Sequence, residues 1–143
     1  MTSNDITKEF ALDGTSAEGI DWGIRPIDAR RVSIDAPKGS HIYNGYARIP
    51  SDSPLLRLVE EGLVEDVIGG DITYVGDDGW IGFDTGHFCD VWPLSDEYLA
   101  AETKKIREAG EEPYVWNIDR LIGETLNLCE RIALANRTAE AFA

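Results

Sequence analysis

Asp71-Ile72-Thr73-Tyr74-Val75-Gly76-Asp77-Asp78-Gly79-Trp80-Ile81-Gly82-Phe83-Asp84 is the stretch on which the fold turns. Two runs rich in β-branched and aromatic residues flank a four-residue segment of glycine and aspartate, which tolerate the positive φ angles of a tight loop. Residues 71–75 and 80–84 therefore read as a β-hairpin. Upstream, residues 41–49 give another strand through Ile42, Tyr43, Tyr46 and Ile49, with Gly45 as a bulge candidate. Earlier still, Ile24, Ile27, Val32 and Ile34 alternate imperfectly, and Pro26 limits any strand there to an edge or a first position. Small, polar and glycine residues dominate residues 12–23, so residues 1–22 are expected to be loop-like or frayed.

Helices complete the outline. Ser53 and Pro54 mark a helix start, followed by the stripe Leu55, Leu56, Leu58, Val59, Leu63 and Val64, which Gly62 ends or breaks. Ser95 caps another helix, with Asp96 and Glu97 at its positive end and Gly110 beyond its last turn. Asn117 caps the last, which is expected to run to about residue 136. Ile118, Leu121, Ile122, Thr125, Leu126, Cys129, Ile132 and Ala133 fall on one broad face at helical spacing. The fold class read from this order is α+β. A small antiparallel sheet of three to five strands packs against a long C-terminal amphipathic helix, with one or two further helices.

At 143 residues the chain is expected to be one domain, residues 1–143, long enough for a core without staples. No apolar run approaches the ~20 residues that span a bilayer, and the N-terminus lacks the pattern of a signal peptide. Cys89 and Cys129 are the only cysteines, which suits a reducing cytoplasm better than a disulfide scaffold. Cys129 falls on the buried helix face and is expected to be an inert core thiol.

The formal charge is −14, from 27 acidic side chains against 13 lysines and arginines. Residues 58–103 contain no lysine or arginine, yet include Glu60, Glu61, Glu65, Asp66, Asp71, Asp77, Asp78, Asp84 and Asp90. A field of one sign repels nucleic acid and attracts basic proteins, so direct DNA or RNA binding by this middle segment is not expected. A solvated surface, or a source adapted to high salt, explains the same imbalance without a partner.

After the hairpin come Asp84, His87 and Asp90 at intervals of three, between Trp80 and Trp92. A helical turn would gather the three side chains, whereas an extended run would point His87 away from the others. Three chemistries suit this trio as catalytic or metal-ligating candidates. The first is a structural hydrogen-bond corner in which Asp84 takes backbone N–H groups and a half-buried His87 bonds one carboxylate. The second is a divalent-metal site, though two carboxylates and one imidazole are half a usual set. In the third, His87 moves protons for a bound substrate, with carboxylates favouring its charged form and an acid role. No P-loop, GxGxxG or GxSxG pattern occurs, so no organic cofactor is expected. Cys89 beside Asp90 is disfavoured as a nucleophile, and His41 is expected at a surface or edge.

Asn44-Gly45-Tyr46-Ala47-Arg48-Ile49-Pro50, Gly69-Gly70-Asp71-Ile72-Thr73-Tyr74 and the run from Trp80 to Asp90, taken as an ordered set, resemble a family of small uncharacterised phage and prophage proteins. That family carries a GYV-type strand, an HGGLTY-like segment, a WWIGFDCAHAGD-like segment and a final amphipathic helix. The resemblance spans roughly residues 41–135 and places Asp84, His87 and Asp90 on the family's aspartate, histidine and aspartate. Ile68 stands where the family has a histidine before its double glycine, which weakens a two-histidine metal or catalytic site. Thr85, Gly86 and Cys89 replace a cysteine, an alanine and a glycine. The resemblance implies a mobile-element setting and supplies no mechanism.

Together these readings predict a non-enzymatic, cytoplasmic accessory protein of a phage or mobile element. It would bind a basic, nucleic-acid-binding host protein through Glu60, Glu61, Glu65, Asp66, Asp77 and Asp78, as a defence inhibitor imitating nucleic acid would. It would contact neither membrane nor nucleic acid. The alternative is a small-ligand or divalent-metal domain, or a hydrolase, centred on Asp84, His87 and Asp90.

Overall fold

The computed structural model describes residues 5–76 and 78–141. Five strands, β1 (Leu12–Thr15), β2 (Asp21–Asp28), β3 (His41–Arg48), β4 (Tyr74–Val75) and β5 (Trp80–Phe83), form one sheet in the order β1-β2-β3-β5-β4. Every pairing in it is antiparallel. Helices α1 (Leu55–Glu60), α2 (Val64–Ile68), α3 (Asp96–Glu108) and α4 (Ile118–Ala141) complete the α+β fold. The hairpin forms, with Gly76 N donating to Trp80 O at 2.8 Å and Gly79 at φ 91°, but its strands are shorter than the expected 71–75 and 80–84.

Alternation along β3 and β5 sorts side chains to two faces. Ala47 and Ile81, both fully buried, face α4 and join Leu128, Cys129 and Ile132 in the main core. Tyr46 and Trp80 face the other way and pack with Ile6 and Phe10 of the N-terminal segment, whose Ile6–Glu9 forms a 3-10 turn. Two glycines make the close approaches possible. A Cβ on Gly45 would lie 2.2 Å from Thr125 Oγ1 on α4, and one on Gly82 would lie 2.3 Å from the Tyr46 ring.

Several expectations need correction. Residues 12–15 are not loop but an edge strand, paired with β2 from Leu12 opposite Ile24 to Thr15 opposite Asp21. Its side chains are mostly exposed, so no hydrophobic alternation announces it. Pro26 sits inside the eight-residue β2, a strand with neighbours on both sides. Because β1 ends opposite Ile24, Pro26 has only β3 beside it, and the missing N–H leaves no gap in the ladder. Of the two outcomes left open at Gly62, the break is the one seen: two short helices lie either side of it, with Gly62 at φ 77°. Ser53 Oγ accepts the Leu55 N–H at 3.1 Å and also bonds Asn136 of α4. Helix α4 continues past residue 136 to Ala141.

Its cap is as expected: Arg120 N donates to Asn117 Oδ1 at 2.7 Å. Ser95 likewise caps α3 by accepting from Tyr98 N at 3.0 Å, and Gly110 closes that helix at φ 83°. A second, two-stranded ladder joins β6 (Asp90–Val91) to β7 (Tyr114–Val115) in parallel. Parallel strands need a long crossover, and here α3 supplies it. No helix of the described residues is long and apolar enough to cross a membrane.

Candidate functional site

Asp84 leaves the end of β5, where its backbone N–H donates to Thr73 Oγ1 at 3.0 Å. The chain then turns sharply around Thr85, a buried hydroxyl with three tethers. Its Oγ1 donates to Tyr43 O at 2.7 Å and accepts from Trp92 Nε1 at 2.8 Å, while its N–H donates to Asn44 Oδ1 at 3.0 Å. A tight turn follows, closed by Asp90 N donating to His87 O at 3.0 Å. The turn, and not a helix, brings Asp84, His87 and Asp90 together.

His87 lies between the two carboxylates, with Nε2 3.2 Å from Asp84 Oδ1 and Nδ1 3.4 Å from Asp90 Oδ2. A ring with an acceptor at each nitrogen can donate to both only when protonated. The expected half-buried histidine is corrected here, because its side chain is 57% exposed. Asp90 is the least exposed of the three side chains, at 13%. Its Oδ2 accepts the His87 backbone N–H at 2.9 Å, and its Oδ1 accepts Trp116 Nε1 at 2.9 Å. Asp84 Oδ1 accepts the Gly86 N–H at a longer 3.4 Å, a turn bond of the kind foreseen for it. The two carboxylates lie at opposite ring nitrogens, so in this arrangement they do not converge with the imidazole on one point. Among the described residues no group of three or more His, Cys, Asp or Glu side chains could hold a metal.

The trio borders a cleft of about 380 Å³, also lined by Asp71, Phe83, Tyr114, Trp116, Glu124, Asn127 and Arg131. Sequence reading singled out Asp84, His87 and Asp90, and the cleft brings all three together. It missed the wall contributed by α4. Glu124, Asn127 and Arg131 recur at intervals of three and four beside the apolar face, a polar stripe that was available as a signal. Arg131 Nη1 donates to Gly69 O at 2.8 Å, so this guanidinium is tied to backbone and not to a carboxylate.

The proposed partner-binding acids lie apart from the trio. Glu60 and Glu61 close α1, Glu65 and Asp66 open α2, and all four are exposed. Asp78 lies in the hairpin loop, where its Oδ1 accepts from Trp80 N at 3.4 Å and its carbonyl accepts from Arg48 Nε at 3.3 Å. Asp77 lies outside the described residues. Among the described residues, ion pairs within 4.0 Å involve none of Glu60, Glu61, Glu65, Asp66 or Asp78. Neither cysteine is in a disulfide, and burial pushes the Cys129 thiol up to about 11. His41 is exposed at the start of β3. Compared with protein-family models, with curated proteins and with solved structures, the chain matches none.

Proposed function

We propose that this protein acts by binding, offering the acids of α1, α2 and the hairpin loop to a basic, nucleic-acid-binding partner. The observation that carries this is the set of exposed carboxylates at Glu60, Glu61, Glu65 and Asp66, to which no cation is paired among the described residues. Unneutralised acids along two consecutive short helices produce a field that attracts cations and repels phosphate. The partner's basic surface, evolved for nucleic acid, finds in them a substitute for the phosphate backbone. The resemblance to phage and prophage proteins supports a role as an accessory protein of a mobile element in the host cytoplasm, as an inhibitor of a defence factor. Affinity capture from host lysate at low and high salt tests this. Basic proteins retained at low salt, released at high salt and lost with Glu60→Gln/Glu61→Gln/Glu65→Gln/Asp66→Asn support it. Capture indifferent to salt and to that variant contradicts it.

A second reading draws on the cleft beside Asp84, His87 and Asp90: a small-ligand site, with hydrolysis as the reaction a paired imidazole would serve. In that case His87→Ala abolishes ligand binding and leaves the fold intact.

A further inference from the structure

Helices α1 and α2 both pack on α4, and an apolar groove of about 330 Å³ runs where they meet it. Leu58, Val67, Ile68, Leu134, Ala135 and Ala139 supply most of its surface. Ile68 and Ala135 are buried, whereas Val67 and Leu134 are 41% and 58% exposed, so large apolar side chains of both α2 and α4 stand in water. The polar residues of the lining are turned to backbone. Thr138 Oγ1 donates to Leu134 O at 3.0 Å, and Arg131 Nη1 to Gly69 O at 2.8 Å. Exposed apolar surface shared by two elements marks a site of association.

The two sides of the groove differ in charge. Residues 55–68 hold Glu60, Glu61, Glu65 and Asp66 against Arg57 alone, and Glu65 and Asp66 directly precede Val67. Along the end of α4, Glu130 and Glu140 offset Arg131 and Arg137. An occupant therefore meets apolar surface beside a negative wall. A second copy related by a two-fold axis would set these acids against themselves. An extended peptide needs a sheet edge to pair its backbone, and α2 and α4 offer none, so its polar groups would be buried unpaired. A small apolar molecule needs near-complete enclosure, which the half-exposed Val67 and Leu134 do not give. A helix arrives with its backbone bonds already made. It can lay an apolar stripe at i, i+3, i+4 and i+7 in the groove while basic side chains beside the stripe face the acids.

We infer that the groove between α2 and α4 receives a basic amphipathic helix of the partner, its apolar stripe on Val67 and Leu134 and its lysines or arginines toward Glu60, Glu61, Glu65 and Asp66. The basic flank of that helix rests on the binding function above, whereas its apolar stripe rests on the groove itself. Val67 and Leu134 lie far enough out of the core to be replaced by glutamine, a good helix former, without opening it.

Titration of the intact protein with an acetylated, amidated leucine–lysine peptide of about four helical turns, its leucines on one face, tests this. Saturable shifts of the Val67 and Leu134 methyl signals in ¹H–¹³C spectra are expected, while the exposed Phe88 ring stays unmoved. Leu134→Gln/Val67→Gln should keep the parent's thermal midpoint and weaken binding by about tenfold or more, as the loss of two apolar contacts implies. Glu60→Gln/Glu61→Gln/Glu65→Gln/Asp66→Asn should weaken it too, most at low salt. Oligolysine of equal charge, and a peptide of the same composition with leucine and lysine strictly alternating, should both bind more weakly by a similar factor. No saturable shift, shifts centred on Phe88, equal binding by the glutamine pair at Val67 and Leu134, or equal binding of either control peptide overturns the assignment. A parent dimer in sedimentation that Leu134→Gln/Val67→Gln dissolves makes a second copy the occupant and overturns the partner helix. Undiminished binding by the variant of the four acids overturns the basic flank, and with it the charge-led reading above. Partner capture that needs those acids but is indifferent to Val67 and Leu134 overturns the groove and leaves that reading standing.

Discussion

Replacing Asp90 by Ala should unfold this protein far more readily than replacing His87, although the histidine is the more conspicuous residue. Asp90→Ala deletes the acceptor of Trp116 Nε1 and of the His87 backbone N–H, both at 2.9 Å. Trp116 is only 6% exposed, so its indole N–H loses its protein partner in a largely desolvated setting. Stranding such a donor costs about 1–3 kcal/mol, and losing the second, more exposed bond adds about 1 kcal/mol. The expected destabilisation is therefore about 2–4 kcal/mol. For a chain of this length each kcal/mol lowers the midpoint by about 2–4 °C, so a drop of roughly 4–16 °C should appear in calorimetry. His87→Ala removes a largely exposed ring and leaves both Asp90 bonds in place, so its cost should stay within the ~0–1 kcal/mol of a surface pair. A Trp116→Phe background provides an internal check. With no indole N–H to strand, Asp90→Ala should cost less there, because the two sites are coupled. Equal losses for His87→Ala and Asp90→Ala, or additivity with Trp116→Phe, would refute this account of the corner.

Two further perturbations test the frame that holds the site. Gly45→Ala places a methyl against Thr125 Oγ1 and, at 2.8 Å, the Phe83 ring, and overpacking of this kind costs about 1–3 kcal/mol. Thr125→Ala should recover part of that in urea denaturation of the double variant, since the two sites are in contact. Cys129 titrates higher in the fold, at about 11, than its ordinary 9.0, because burial disfavours the thiolate. The folded state therefore keeps its proton where the unfolded chain loses it. The associated stability is fully present below pH 9 and falls by about 2–3 kcal/mol between pH 9 and 11. Urea titrations across that window should show a shallower decline in Cys129→Ala than in the parent.

The parts of the fold legible in the sequence are those where a repeating pattern meets a stop signal. The hairpin of residues 71–84 and the capped start of α4 belong to this class, and α4 covers one face of the sheet as its buried stripe requires. Strand β1 was not legible, because Leu12-Asp13-Gly14-Thr15 lies at an edge with its side chains largely in solvent and carries no burial pattern. The far end of α4 was misjudged for a related reason. After Asn136 the sequence Arg137-Thr138-Ala139-Glu140-Ala141 has neither glycine nor proline to stop the helix, and its polarity only reflects exposure. At the candidate site, the intervals between Asp84, His87 and Asp90 identified the corner but not its geometry. The tie from Asp90 to Trp116 spans 26 positions and depends on two-residue strands too short to leave a pattern. The polar stripe of α4 was readable as exposed surface, and only the packing of α4 on β2 and β3 turns part of it into a wall.

The most direct test of the proposed function is the salt dependence of the dissociation constant for the captured partner. The logarithm of affinity should fall steeply and linearly with the logarithm of salt concentration, as it does when basic proteins meet phosphates. Glu60→Gln/Glu61→Gln/Glu65→Gln/Asp66→Asn should flatten that slope while leaving the thermal midpoint nearly unchanged. A shallow slope in the parent, or one the variant shares, would show that these unpaired carboxylates only solvate the surface.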